Sequence, residues 1–274
     1  MKVWHRIFEI YVRASIHVAL AVLAFLFLTC LFLNIPAERS LFFFVFFSTI
    51  PTYNLIKHLT ENRRQFFGIL SMNRSHLILS LGSLVISAYF VVDLRWQTLV
   101  AILCLSLLTA VYAMPVLPRG KNLRNVGILK IFIIGGVWSG VTVVLPVLEA
   151  SSLNSWDVWV EFTQRFLVIL VLMVPFEIRD LSTDPSDMLT IPQRLGDRKT
   201  KKLGMLACLI FFLLTFVKDE LSEVEILSKA IMVISLTALL VFLPKRQPRY
   251  FASFWVEAFP IFWVTVLWGL SAWV

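Results

Sequence analysis

The sequence predicts an all-α integral membrane protein, nine transmembrane helices around a central cavity, and three observations carry that expectation. Hydrophobic residues make up 59% of the 274 positions and charged residues only 15%, whereas a soluble domain is about half apolar and about a quarter charged. The apolar residues fall in nine runs, most of them near the ~20 residues that a helix rising ~1.5 Å per residue needs to cross a hydrocarbon core about 30 Å thick. The Lys and Arg residues alternate with those runs as a membrane topology requires.

The first run covers 15–33. The segment before it, MKVWHRIFEIYVRAS, is basic like a signal peptide, but no small-residue cleavage site follows, so the run reads as a retained first span. The second, third and fourth runs are 40–56, 75–92 and 98–117. The fifth, 128–148, contains GGVWSG, in which Gly136 and Gly140 form a small-xxx-small pair suited to close helix packing. The sixth, 158–176, carries Glu161 and Arg165 near its start, and the seventh, 203–217, is short; the eighth is 226–243. The ninth, 250–274, holds Glu257, an intramembrane acid whose desolvation cost directs it toward protein or a polar cavity. Cys30, Cys104 and Cys208 lie in three different runs without CxxC spacing, as small core residues do.

With the N-terminus in the cytoplasm, only Arg39, Arg95, Arg165, Lys218 and Lys229 fall on the outer side; the remaining 20 of the 25 Lys and Arg residues lie inside. That asymmetry supports nine spans with the N-terminus inside and the C-terminus outside, in the plasma (inner) membrane, because one miscounted span scrambles every later loop. It also explains the net charge of +8 without invoking nucleic acid. With no Ser/Gly linker or low-complexity stretch, residues 1–274 read as one domain.

Two inside loops, 58–74 and 178–202, are long and polar, and chemistry is expected there. The second belongs to PFEIRDLSTDPSDMLTIPQRLGDRKTKK, with carboxylates at Glu177, Asp180, Asp184 and Asp187. If the sixth helix continues past Phe176, spacings of three and four put Glu177, Asp180 and Asp184 on one face. Such a stack suits Mg²⁺ where phosphates also bind; equally, it suits a solvated acidic helix end balanced by Arg179 and Arg194. In PTYNLIKHLTENRRQF, Asn54, Lys57 and Glu61 repeat the spacing of Glu177, Asp180 and Asp184, so two polar helix ends are expected to face one another across a cavity. His58 reads as an interfacial histidine, and Arg63, Arg64 and Arg74 as either a topology signal or a counter-charge for an anionic leaving group.

The segment EIRDLSTDPSDMLTIPQRLG resembles the second aspartate-rich motif of the UbiA superfamily of intramembrane prenyltransferases: Asp180, Asp184 and Asp187 followed by Thr190, Ile191, Pro192, Leu195 and Gly196. The helix count, the two polar loops and TAVYAMPVLPRGKN, similar to the family's Tyr and Pro segment, extend the resemblance over nearly the whole chain. The first motif departs from the family: Asn54 is followed by Leu55, His58 and Asn62 where aspartates are expected, with Glu61 one position early.

The resemblance implies a UbiA-like fold and a prenyltransferase moving an isoprenoid chain from a prenyl diphosphate to an aromatic or lipid acceptor with Mg²⁺. A terpene cyclase of the same fold, or a non-catalytic isoprenoid-binding or transport protein, are the alternatives. It implies metal ligation by Glu177, Asp180, Asp184 and Asp187, with Asp180 and Asp184 as the central pair. Tyr112, with Tyr53, is placed to stabilise an allylic cation at the cavity mouth, and Asn54, Lys57, Glu61, Arg64, Lys121 and Arg179 are the candidate substrate-binding residues. Hydrophobic acceptor and lipid bilayer complete the expected partners.

Overall fold

The computed structural model describes residues 2–61, 74–114, 123, 127–152, 155–185 and 188–272. Among them the chain forms α1 (Lys2–Arg13), α2 (Ile16–Phe32), α3 (Arg39–Glu61), α4 (Arg74–Val91), α5 (Trp96–Ala113), α6 (Leu129–Ser139), α7 (Leu145–Glu149), α8 (Trp156–Asp180), α9 (Ile191–Leu214), α10 (Glu223–Phe242) and α11 (Phe259–Ser271). A π-helical turn, Gly140–Val144, joins α6 to α7, a 3₁₀ turn, Thr215–Val217, ends α9, and a second π-helical turn, Phe251–Val256, precedes α11.

Seven of these rods are long and apolar enough to cross a membrane: α4, α5, α6 with α7, α8, α9, α10, and α11 with its π turn. The pair α1 and α2, bent by 58°, makes an eighth. Helix α3 is as long as the others, and its last turns carry Thr52, Asn54 and Lys57, which lower its apolar average. Among the described residues each of the nine expected runs therefore overlaps a helical rod.

Local chemistry sets several ends. Ser155 and Ser222 cap α8 and α10 by accepting from the backbone N–H groups of Asp157 and Glu225. Thr190 opens α9 through a reciprocal box with Gln193, and Pro192 sits in its first turn. Helix α9 thus begins twelve residues before the apolar run at 203–217, because capping rather than hydropathy starts it. Gly196 bends its first turns at φ 77°, a left-handed conformation that favours glycine.

The helices pack side by side in two runs that share α2. Helices α2 and α3 pack together, α3 on α4, α5 on α6, α6 on α8, α8 on α9, α9 on α10, α10 on α11, and α11 returns to α2. Helix α2 is apolar on all sides and correspondingly buried at Val18, Ala19, Phe25, Leu26 and Leu28. Helices α4 and α5 instead expose Ile78, Val85, Tyr89, Leu103 and Leu107, a surface matched to lipid. The close approaches of α6 differ in part from the expected Gly136 and Gly140 pair. A Cβ on Gly140 would meet the Leu105 side chain at 2.6 Å and one on Gly135 would meet Phe166 at 2.8 Å, whereas Gly136 faces open space.

At the end of the bundle where α8 begins, a charged network is sealed inside the protein. Arg165 donates to Glu161 at 2.8 Å, to the Phe25 carbonyl at 2.7 Å and to Thr29 at 3.1 Å. Lys229 joins Glu161, Gln164 and Glu225, and Lys218 donates to Glu225 and to the Phe32 carbonyl. Three of the five basic residues that fall on the outer side, Lys218 between runs and Arg165 and Lys229 within them, are therefore buried ion-pair partners.

Candidate functional site

A cavity of about 600 Å³ opens at the opposite end, within the size range of ligand sites. Its depth is apolar, with Val22, Phe44, Val45, Ile102 and Leu145, and its mouth is polar, with Lys57, Lys130, Glu177, Arg179, Asp180 and Glu257. From Phe44 to Lys57 the wall follows fourteen residues of α3, about 20 Å of helix.

Helices α3 and α8 deliver their C-terminal turns to this mouth, the arrangement expected from the repeated spacing of the two loops. Lys57 is held by Ser15 Oγ at 2.9 Å and approaches the carbonyls of Val12 and Arg13 at 3.4 and 3.5 Å. Ser15 occupies the bend between α1 and α2 with φ 64°. Its hydroxyl donates to Asn54 Oδ1 at 2.8 Å, and Asn54 Nδ2 donates to Ser80 at 2.9 Å. Asn54 is thus buried and occupied as a strut among α2, α3 and α4, and it is not part of the cavity wall. Helix α3 includes Glu61 in its last turn; the Glu61 side chain, Arg64, Lys121 and Asp187 lie outside the described residues.

Helix α8 does continue past Phe176, to Asp180, and the Asp184 amide still bonds back to the Asp180 carbonyl at 2.8 Å. Glu177 and Asp184, seven residues and about two turns apart, meet on one cation: Lys130 Nζ lies 2.8 Å from Glu177 Oε1 and 3.1 Å from Asp184 Oδ2. Asp180 points elsewhere and receives Arg179 at 2.7 and 3.2 Å. Lys130, from the first turn of α6, was counted in the sequence only as an inside charge. What the sequence held was its position at the start of an apolar run, where a lysine is ordinarily a topology signal.

The motif loop is fixed from both sides. Gln193 Nε2 donates to the carbonyls of Pro185 at 3.0 Å and Asp184 at 3.4 Å. Gly127, at φ 26°, lies so close beneath the loop that a Cβ there would collide with the carbonyl oxygens of Met188 and Leu189. Gly127→Ala is therefore expected to displace the loop and cost about 1–3 kcal/mol, read as a lowered unfolding temperature in detergent and faster proteolysis within 181–190.

Tyr53 and Tyr112 both line the cavity. Trp138 Nε1 donates to Tyr53 Oη at 2.6 Å, with the rings edge to face, which fixes an aromatic surface in the cavity wall about one helical turn inward from Lys57. Glu257, placed by its π-helical segment, lines the mouth as the cost of an intramembrane acid requires.

As placed, the described groups do not fit the expected Mg²⁺ centre. Glu177 and Asp184 share Lys130, Asp180 has Arg179, and no group of three or more His, Cys, Asp or Glu donors converges among the described residues. One donor stays open: Glu177 Oε2 is buried without a hydrogen-bond partner.

The helices around this cavity have a UbiA-like fold. A solved structure of a digeranylgeranylglyceryl phosphate synthase in membranes superimposes with a TM-score of 0.58, covering 95% of this chain and 94% of that one at 15% sequence identity. No protein-family model and no curated protein matches the sequence.

Proposed function

We propose that the protein is an intramembrane prenyltransferase that moves an isoprenoid chain from a prenyl diphosphate to a hydrophobic aromatic or lipid acceptor. The observation that carries this reading is the cavity: an apolar channel with Lys57, Lys130 and Arg179 at its mouth. The diphosphate lies against these cations and the hydrocarbon runs inward past Tyr53 and Trp138. Breaking the bond between C1 and the diphosphate oxygen leaves the electron pair on the diphosphate, whose growing charge the cations stabilise. The allylic cation faces Tyr53 and Tyr112. The acceptor then supplies the electron pair for the new bond to C1 and loses one proton, for which Glu257 is the carboxylate at hand.

The test uses purified protein in lipid nanodiscs with prenyl diphosphates of several lengths, with and without Mg²⁺ and with and without a lipid and quinone-type acceptor panel. Diphosphate release that requires an acceptor is the expected result. A cyclic hydrocarbon or terpene alcohol formed without acceptor assigns the cyclase instead. Binding without turnover across the panel assigns a non-catalytic isoprenoid-binding protein. Glu257→Gln is expected to lower turnover by about 10²-fold while prenyl diphosphate binding, measured by equilibrium dialysis, stays within about twofold of wild type; equal losses in both would remove Glu257 from proton transfer.

A further inference from the structure

Lys130 stands where acidic residues of a polar helix end would otherwise gather around a metal ion. Its ammonium contacts Glu177 and Asp184 together, and its side chain is 8% exposed while that of Glu177 is 3% exposed. Two carboxylates brought together across two helical turns need a positive charge between them, and here a side chain supplies it. A lysine in the first turn of α6 is on the unfavourable side of the helix dipole, so the helix itself gives no reason for the cation to be there. On the facing wall Lys57 is fixed in the same way, by a hydroxyl and carbonyls.

We propose that Lys130 is a built-in replacement for a divalent ion, a tethered cation held by Glu177 and Asp184, so that the mouth binds the anionic head of its ligand without added metal. A divalent ion seeking the same two oxygens would have to displace or face an ammonium already 2.8 and 3.1 Å from them. Replacing the lysine by a small neutral residue would free the pair, together with the unpartnered Glu177 Oε2, as hard oxygen donors of the kind that Mg²⁺ and Mn²⁺ take. The identity of the anion rests on the prenyl diphosphate reading; the exclusion of metal by Lys130 does not.

The experiment is a Mn²⁺ titration of ligand-free, EDTA-treated protein followed by electron paramagnetic resonance, paired with binding of a non-hydrolysable prenyl thiodiphosphate in EDTA and in Mg²⁺. Wild type and Lys130→Arg are expected to hold no Mn²⁺ at the cluster. Lys130→Ala is expected to gain about one site per chain, lost again in the Lys130→Ala, Glu177→Gln double variant. Wild type should bind the thiodiphosphate equally in EDTA and Mg²⁺, within about twofold, whereas Lys130→Ala should lose at least about tenfold in EDTA and recover in Mg²⁺. Mn²⁺ held by wild type and released by Glu177→Gln overturns the proposal, as does a Lys130→Ala protein that folds yet gains no site, or wild-type binding that requires Mg²⁺. If the Mn²⁺ pattern holds while no prenyl analogue binds under either condition, the tethered cation stands and the prenyl diphosphate reading falls.

Discussion

Arg165→Met is expected to destabilise the protein by about 3–5 kcal/mol, more than any change at the cavity mouth. Arg165 is fully enclosed, at 1% exposure, so bulk solvent does not reach the groups its guanidinium satisfies. It pairs with Glu161, donates to the Phe25 carbonyl and Thr29, and stacks 4.3 Å from the centre of the Phe25 ring. Methionine conserves much of the volume, so the loss isolates the charge: Glu161 keeps only its 3.3 Å contact with Lys229. The consequence then spreads, because Lys229 also serves Gln164 and Glu225, and Glu225 holds Lys218 at the head of α10. Unfolding temperature and the monodisperse fraction in mild detergent are the readouts. Arg249→Met is the comparison, since Arg249 is 61% exposed with a 3.6 Å contact to Glu9, and such surface pairs contribute about 0–1 kcal/mol. Equal behaviour of the two variants would mean that the buried network does not hold the helices together.

The same network shows why part of the molecule was legible in the sequence and part was not. Hydropathy locates rods because lipid is a uniform solvent, and among the described residues each of the nine runs overlaps a helix. It cannot tell a charge that reaches the outer surface from one folded inward, and Arg165, Lys218 and Lys229, which fall on the outer side, are each buried against a carboxylate. Hydropathy places the start of α9 late for a related reason. Its first turns are polar, and only the Thr190 and Gln193 box reveals that they are already helical. At the mouth, spacing along one helix brought Glu177, Asp180 and Asp184 into view, and the structure continues α8 far enough for Glu177 and Asp184 to meet. What spacing cannot supply is a partner from another helix: Lys130 lies 47 positions before Glu177, at the start of α6, and only the packing of α6 on α8 joins them.

Glu177→Gln is expected to be the most damaging of the carboxylate substitutions at the mouth, lowering prenyl diphosphate turnover by about 10²–10³-fold, with Asp184→Asn next and Asp180→Asn last. This order differs from the one that the motif alone suggests, in which Asp180 and Asp184 lead as metal ligands. The reason is burial. Glu177 is 3% exposed and holds Lys130 at 2.8 Å, so its neutral form leaves the ammonium with one partner and free to leave the cavity wall. Asp184 makes the longer contact at 3.1 Å and is 17% exposed, so water replaces part of what the variant removes. Asp180 pairs with the neighbouring Arg179, the two side chains being 29% and 38% exposed, a geometry that solvent screens. Asp197, against Lys245 at 3.4 Å and away from the cavity lining, is the control for a change of charge alone. The series is read as turnover and as prenyl thiodiphosphate binding, each in EDTA and in Mg²⁺. Should Asp180→Asn abolish binding while Glu177→Gln retains it, the carboxylates act through a metal rather than through Lys130. Should all three match Asp197→Asn, they form a solvated helix end, and the anion is held by Lys57, Arg179 and their neighbours without help from α8's acids.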